Sequence, residues 1–126
     1  MENATMQTRN LAFLLSEASG RRSRSVVKVA NGAGKIAAGT VMGKVTATGE
    51  YIPSPNAETA GKEGAEMATV ILAYGVDATN SSVEVTVIDR DAEAKLPMLS
   101  FDASVDDQDK TDAKIAQLNA VGIRVR

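Results

Sequence analysis

Through its middle, the chain alternates short apolar runs with turn residues, a pattern that predicts strands. Residues 26–30 (VVKVA) predict the first strand of a folded body, and residues 36–51 predict one or two strands broken at Gly49. Residues 67–76 (MATVILAYGV) are apolar throughout, so they predict a central strand covered on both faces. Residues 83–89 alternate as a half-exposed antiparallel strand does.

The last quarter of the chain follows a helical period instead. The residues at this spacing are Thr111, Ile115, Leu118 and Val121. Asp106, Asp107 and Asp109 stand where carboxylates accept hydrogen bonds from the free N–H groups of a helix start. Gly122 is placed to end the helix, and a short closing strand follows it. We therefore expect a mostly β fold with one C-terminal α-helix at about residues 106–121.

Two polar stretches complete the pattern. Residues 53–66 combine Pro, Gly and charged residues, which predicts a surface loop. Residues 1–25 are polar around one small apolar cluster, residues 11–15 (LAFLL). We predict that residues 1–25 form a flexible arm without a core of its own, followed by a β-rich domain that spans residues 26–126.

Composition limits the core of this single domain. Its 126 residues include two Phe, two Tyr and no Trp, so Ala, Val, Ile and Leu must fill the interior. Alanine buries little area, and the core is therefore expected to be thin. A thin core hints at further burial between subunits.

The chain contains no cysteine and no histidine. These absences exclude a disulfide framework and a thiolate nucleophile, and they remove the commonest general base and transition-metal ligand. We expect no catalytic, cofactor or metal site, although catalysis by lysine or carboxylates alone stays open. The net charge of −2 gives no reason to expect a nucleic-acid partner. The apolar cluster at residues 11–15 is too short for a signal peptide or a membrane span, so we expect no membrane partner and a cytoplasmic site of synthesis.

Gly39 and the pair Gly43–Lys44 resemble part of a phosphate-binding loop. Such a loop has four residues between its glycines and a Ser or Thr after the lysine. Here three residues separate the glycines and Val45 follows Lys44. Residues 31–35 (NGAGK) lack a preceding buried strand. Neither stretch is a nucleotide site.

Residues 102–113 (DASVDDQDKTDA) are a candidate calcium loop, since Asp102, Ser104 and Asp106 fit its first ligand positions. Its sixth and twelfth positions hold Asp107 and Ala113, where a glycine and a glutamate belong. Capping of the following helix explains these acidic residues better.

Asp89, Asp91 and Glu93 would share one face of a strand, as paired catalytic carboxylates do. Arg90 and Lys95 are ready partners for them. We interpret this stretch as a solvated strand end.

Arg21, Arg22 and Arg24 form the basic cluster of the sequence. Without interleaved aromatic residues, the cluster is not typical of a nucleic-acid contact. Two roles fit its composition equally: docking against an acidic protein surface, or a solubilising tail.

Five segments occur in this order along the chain: LLSEASGRRSRSVVKV, AGTVMGKVT, ILAYGVDAT, VIDRDAE and IAQLNAVGIRVR. Together they resemble the head decoration proteins of lambda-like tailed phages. The resemblance covers about residues 14–126. It implies a small β-clip-like barrel in which Gly39, Gly43 and Gly49 permit tight bends and close strand crossings.

The resemblance also implies a function. The protein would be a homotrimer on the outer surface of an expanded phage head, seated at threefold and quasi-threefold positions. There it would clamp neighbouring major capsid subunits against the pressure of packaged DNA, in particles assembled in the host cytoplasm. The arm would dock on the shell. The predicted capsid-binding residues are Leu11, Phe13, Leu14, Leu15, Ser16, Glu17, Arg21, Arg22 and Arg24.

A small-molecule- or carbohydrate-binding β-clip module is the alternative. Such a module has an aromatic-lined site or ordered rows of threonine. Thr40, Thr46 and Thr48 are few, and aromatic residues are scarce. An enzyme ranks third because His and Cys are missing.

Overall fold

The computed structural model of the protein describes residues 11–17 and 23–126. Within these residues the chain forms ten strands, one α-helix and one 3-10 turn. The strands are β1 (Leu14–Glu17), β2 (Arg24–Val29), β3 (Gly34–Ile36), β4 (Val41–Lys44), β5 (Tyr51–Pro53), β6 (Ala68–Leu72), β7 (Val76–Ala78), β8 (Val83–Ile88), β9 (Ala92–Ala94) and β10 (Ile123–Val125). The helix α1 spans Gln108–Ala120, and the 3-10 turn spans Leu96–Met98. The predicted fold class, mostly β with one C-terminal helix, is confirmed.

Five strands close into a small barrel in the order β2–β5–β4–β6–β8. Its inward side chains include Val29, Met42, Leu72 and Val87, which are fully buried. Because side chains alternate along a strand, β2 turns Val26 and Lys28 outward while Val29 packs inside. The aliphatic core expected from the composition fills this barrel.

The apolar stretch at residues 67–76 forms parts of two strands where one was predicted. Its first part, β6, lies between β4 and β8, which confirms a central strand. The chain then bends, and β7 pairs with β3 in a separate two-stranded sheet. Ala73 and Tyr74 form this bend, and Gly75 follows it. The bend leaves Tyr74 exposed.

The region between β3 and β5 contains one more break than predicted. Gly49 has a positive φ of 74° in the expected turn, and Gly39 makes a second break with a φ of 89°. Gly43 is needed for a different reason, because a Cβ there would lie 2.1 Å from the carbonyl oxygen of Ala65. The prediction that these glycines permit bends and close strand contacts is confirmed.

A second sheet joins distant parts of the chain in the order β1–β9–β10. β1 runs antiparallel to β9, and β10 runs parallel to it. Ala92 and Ala94 are buried, whereas Glu93 points away from the core. The interpretation of this stretch as a solvated strand end is therefore wrong for residues 92–94, whereas Arg90, Asp91 and Lys95 are exposed as expected. Small side chains alternate with the charged ones, and they let β9 pack closely.

The helix α1 packs against β10 and β6 and begins where predicted. Asp107 is its N-cap, and the Asp107 carboxylate accepts a hydrogen bond from the Lys110 N–H at 2.9 Å. Asp106 forms an ion pair with Lys110 at 2.7 Å. Gly122 follows the last turn with a φ of 89°. The capping interpretation of the acidic run is confirmed.

Residues 11–17 are part of the folded body. Phe13 is fully buried in a cluster with Ile71, Ile88 and Leu118. The interpretation of residues 1–25 as a flexible arm is thus wrong for residues 11–17, because Phe13 belongs to the core of the domain. Burying a phenylalanine contributes about 1.5–3 kcal/mol, which helps to offset the cost of ordering the segment.

The predicted arm also contains the start of a strand of the barrel, since β2 begins at Arg24. Arg21 and Arg22 lie outside the described residues, as do residues 1–10.

No helix in the described part of the chain is long and apolar enough to cross a membrane.

Candidate functional site

The apolar residues predicted to bind a capsid lie in two different environments. Phe13 is inside the core, and Leu11 and Leu14 are half-buried against the same cluster. Leu15 is 48% exposed, and Ser16 beside it is also exposed. Along β1, Leu15 and Ser16 are therefore the residues whose side chains are exposed to solvent.

Glu17 and Arg24 hold the end of β1 against the start of β2. The Nη2 and Nε atoms of Arg24 donate to the two carboxylate oxygens of Glu17, at 2.6 and 3.1 Å. The hydroxyl of fully buried Ser23 donates to the same carboxylate. This bidentate arrangement is the strong form of an arginine–carboxylate pair. We name these three residues the β1–β2 clamp.

The clamp changes how Glu17 and Arg24 ionise. The hydrogen bond from Arg24 lowers the pKa of Glu17 despite the opposing effect of burial, and the same bond raises the pKa of Arg24. Both side chains therefore keep their charges, and each charge is already neutralised by the other. Neither is a free charge for a docking partner, although both were predicted to bind the capsid.

β1 lies at the edge of its sheet. β9 pairs with one side of β1, and no described strand pairs with the other. An edge strand presents backbone N–H and C=O groups to an incoming strand. We name this surface, with the exposed side chains of Leu15 and Ser16, the β1 edge.

A shallow groove lies on the outer face of the barrel. Its volume is about 320 Å³, and it is lined by Arg24, Ser25, Val26, Tyr74 and Thr86. Val26 is 68% exposed and lies opposite Thr86 across the β2–β8 pair. The Nη1 atom of Arg24 donates to the Tyr74 hydroxyl at 3.1 Å and so positions the ring. We name this surface the β2–β8 groove.

The three carboxylates for which an acid–base role was considered and rejected do not lie together on one strand. Asp89 accepts a hydrogen bond from the Ser25 hydroxyl at 2.6 Å. Asp91 lies in a turn with a positive φ of 50°. Glu93, on β9, forms an ion pair with Arg126 at 2.8 Å.

The residues of the candidate calcium and phosphate loops have local structural roles. Asp102 accepts hydrogen bonds from the N–H and the hydroxyl of Ser104. The described residues contain no group of three or more acidic side chains placed to hold a metal ion. Lys44 ends the strand β4, and a turn follows it instead of a helix.

Sequence reasoning missed Lys114 and the β2–β8 groove. Lys114 sits on the buried face of α1 and is 1% exposed. Nothing in the helical pattern marks it, because lysine is normally assigned to a solvated face. Tyr74 does carry a signal in the sequence: it is a lone aromatic residue followed by glycine at the end of an apolar run.

Comparison with known proteins gives one family. No curated protein matches the chain. A family model for the bacteriophage lambda head decoration protein D matches residues 3–123. This match includes the barrel, β1, β9, α1 and the start of β10. Because it extends over nearly the whole sequence, the protein belongs to the bacteriophage lambda head decoration protein D family.

Proposed function

We propose that this protein is a structural, non-enzymatic cement protein of a phage head. It acts as a homotrimer on the outer surface of the expanded shell and stabilises the shell against the pressure of packaged DNA. The family match over residues 3–123 carries this proposal. Its partner is the major capsid protein at the threefold and quasi-threefold positions.

The N-terminal region supplies the docking contact in this proposal. Within it, the β1 edge offers backbone groups and an exposed Leu15 to a strand of the capsid protein. Buried Phe13 anchors one end of β1, and the β1–β2 clamp anchors the other. Because β1 is held before docking, little additional ordering of this strand opposes the contact.

One β1 edge gives only weak attachment by itself. A backbone hydrogen bond contributes about 1 kcal/mol net, and burial of the exposed half of the Leu15 side chain contributes about 1 kcal/mol. Three edges on one trimer bind together through their high effective concentration. Arg21 and Arg22, between the two halves of the clamp in sequence, add positive charge for an acidic capsid surface.

Co-sedimentation with expanded, DNA-free heads tests this proposal. The wild type is compared with Leu15→Glu and with Ala116→Glu, a control on the exposed side of α1. We expect Leu15→Glu to weaken attachment by at least ~10-fold, because the substitution removes the apolar contact and also places a carboxylate in the interface. Ala116→Glu should bind as the wild type does.

Circular dichroism establishes that both variants are folded. Equal binding of Leu15→Glu and the wild type would show that the β1 edge is not the docking surface. A wild-type protein that fails to sediment with expanded heads would refute the proposed function itself.

A further inference from the structure

We propose that Met67 of one copy inserts into the β2–β8 groove of the next copy, and that this contact closes the trimer. The inference rests on the proposed trimeric function and names the two surfaces that build it. It follows from the rigid support of Met67, the shape of the groove and the geometry of a three-membered ring.

Met67 projects from a firmly held segment at the start of β6. It is 51% exposed, yet side chains from elsewhere hold the backbone on both sides of it. The Ser54 hydroxyl donates to the carbonyl of residue 65 at 2.7 Å, and the Lys114 ammonium donates to the carbonyl of residue 66 at 2.5 Å. The Gln117 side chain accepts a hydrogen bond from the N–H of residue 68 at 2.7 Å.

This support is unusual for a surface segment. Burying an ammonium group opposes folding unless its hydrogen bonds are satisfied. Lys114 nevertheless points inward and reaches the chain next to Met67. The result is an exposed, flexible thioether on a fixed backbone. Such a group enters a pocket without ordering its loop, which reduces the cost of association.

The β2–β8 groove has the chemistry to receive this side chain. Val26 and the ring of Tyr74 give it apolar walls, and both are exposed in the single chain. Arg24 fixes the ring through the Tyr74 hydroxyl, and Glu17 in turn neutralises Arg24. The groove therefore carries no unpaired charge from that ion pair. Methionine sulfur makes favourable contacts with aromatic rings.

The positions of the two surfaces suit a ring. Met67 directly precedes β6 and Tyr74 lies just after its end, so the two surfaces are at opposite ends of this strand. A threefold ring requires two different complementary surfaces on each subunit, in contrast to the self-complementary surface of a twofold dimer.

The exposed apolar side chains are also accounted for. In the described residues, the large hydrophobic side chains with high exposure are Leu15, Val26, Met67 and Tyr74. Leu15 belongs to the β1 edge. The other three are the two halves of the proposed contact.

Light scattering on Met67→Glu and Val26→Glu, with Ala116→Glu as control, tests the inference. We expect both groove-contact variants to be monomers and the control to remain a trimer. Mixed in equal amounts, the two variants should form dimers. Met67→Glu keeps its groove and Val26→Glu keeps its methionine, so one intact contact forms and the ring cannot close. Trimeric single variants, or an absence of dimers in a mixture at about 100 μM, would overturn the inference.

Cross-linking gives a test that does not depend on the stability of the glutamate variants. The chain has no cysteine, so a Met67→Cys/Val26→Cys double variant carries only the two introduced thiols. A short bis-maleimide should link it into covalent dimers and trimers. A Val26→Cys/Ala116→Cys variant should give only background. Equal products from the two would contradict the contact.

These results are separable from the proposed function. If the variants remain trimers and the wild type still binds expanded heads, only the inference fails. If Met67→Glu stays trimeric but loses attachment, Met67 faces the capsid and the inference is again wrong. A monomeric wild type that does not bind heads removes the proposed function as well.

Discussion

At the scale of single residues, Lys114 links the helix to the loop that precedes β6. Its ammonium donates to the Ser54 hydroxyl at 2.9 Å, the Pro55 carbonyl at 2.6 Å and the Glu66 carbonyl at 2.5 Å. All three acceptors are uncharged. One side chain thereby joins the two ends of a polar loop that the sequence predicts to lie on the surface.

Replacing Lys114 with methionine should lower the free energy of unfolding by about 1–3 kcal/mol, because buried acceptors lose their donor. Lys62→Met, in the same loop but exposed, should change it by less than about 0.5 kcal/mol. Urea unfolding at equal protein concentration, followed by circular dichroism, measures both. Equal effects of the two substitutions would contradict the structural role of Lys114.

The buried ammonium group of Lys114 should also make the free energy of unfolding depend on pH. Burial lowers its pKa from the ordinary value of 10.5. Between the lowered pKa and pH 10.5, the unfolded chain binds more protons at this position than the folded chain does. Stability therefore rises with pH in this window for the wild type. The difference in unfolding free energy between the wild type and Lys114→Met should widen as pH increases toward 10.5. A difference that narrows would show that the pKa shift has the opposite sign.

Gly43 has no room for a side chain, whereas the neighbouring Lys44 has an exposed side chain that the fold should not need. A Cβ at Gly43 would meet the carbonyl oxygens of Ala65 and Met67 at 2.1 and 2.6 Å, so Gly43→Ala should destabilise the fold by about 2–3 kcal/mol. Lys44 is exposed at the end of β4, and Lys44→Ala should leave stability within about 0.5 kcal/mol and head attachment unchanged. Thermal unfolding and head co-sedimentation check this pair. Loss of attachment in Lys44→Ala alone would reopen a binding role for this loop.

At the scale of elements, β1 combines a buried anchor with an exposed edge. Phe13→Ala should lower the free energy of unfolding by about 3–5 kcal/mol, since it removes a fully buried ring from the cluster around Leu118. Leu15→Ala should affect stability far less because half of the side chain is already in solvent. Chemical denaturation of both variants measures the contrast. Similar stabilities would mean that Phe13 is not packed in the core.

At the scale of the whole molecule, we expect a trimer that needs no metal ion. Light scattering in the presence of a chelator should give three times the chain mass of 13.1 kDa. Deleting residues 1–10 should not change this oligomeric state, because the cut lies before the buried Phe13. A monomer at tens of micromolar would contradict the proposal that a trimer holds neighbouring capsid subunits together, since specific interfaces usually persist at that concentration.

Several elements follow from local sequence alone. The period of residues 111–121, the capping Asp107 and the terminating Gly122 specify α1 almost to its observed ends. The alternation of apolar and polar residues specifies β2 and β8. The absence of His and Cys narrows the catalytic and metal-binding chemistry that the chain could perform. These features depend on neighbours in the chain, so the local order of residues is enough to set them.

Other features depend on which distant segments meet. Phe13 looks like part of an arm until β1 pairs with β9, and residues 89–95 look solvated until Ala92 and Ala94 are packed. The inward direction of Lys114 depends on acceptors some 50 to 60 positions away in sequence. Sequence by itself thus determined α1, β2, β8 and the family. Only the tertiary structure decided which side chains are buried and which are exposed, because burial is set by long-range packing and not by local periodicity.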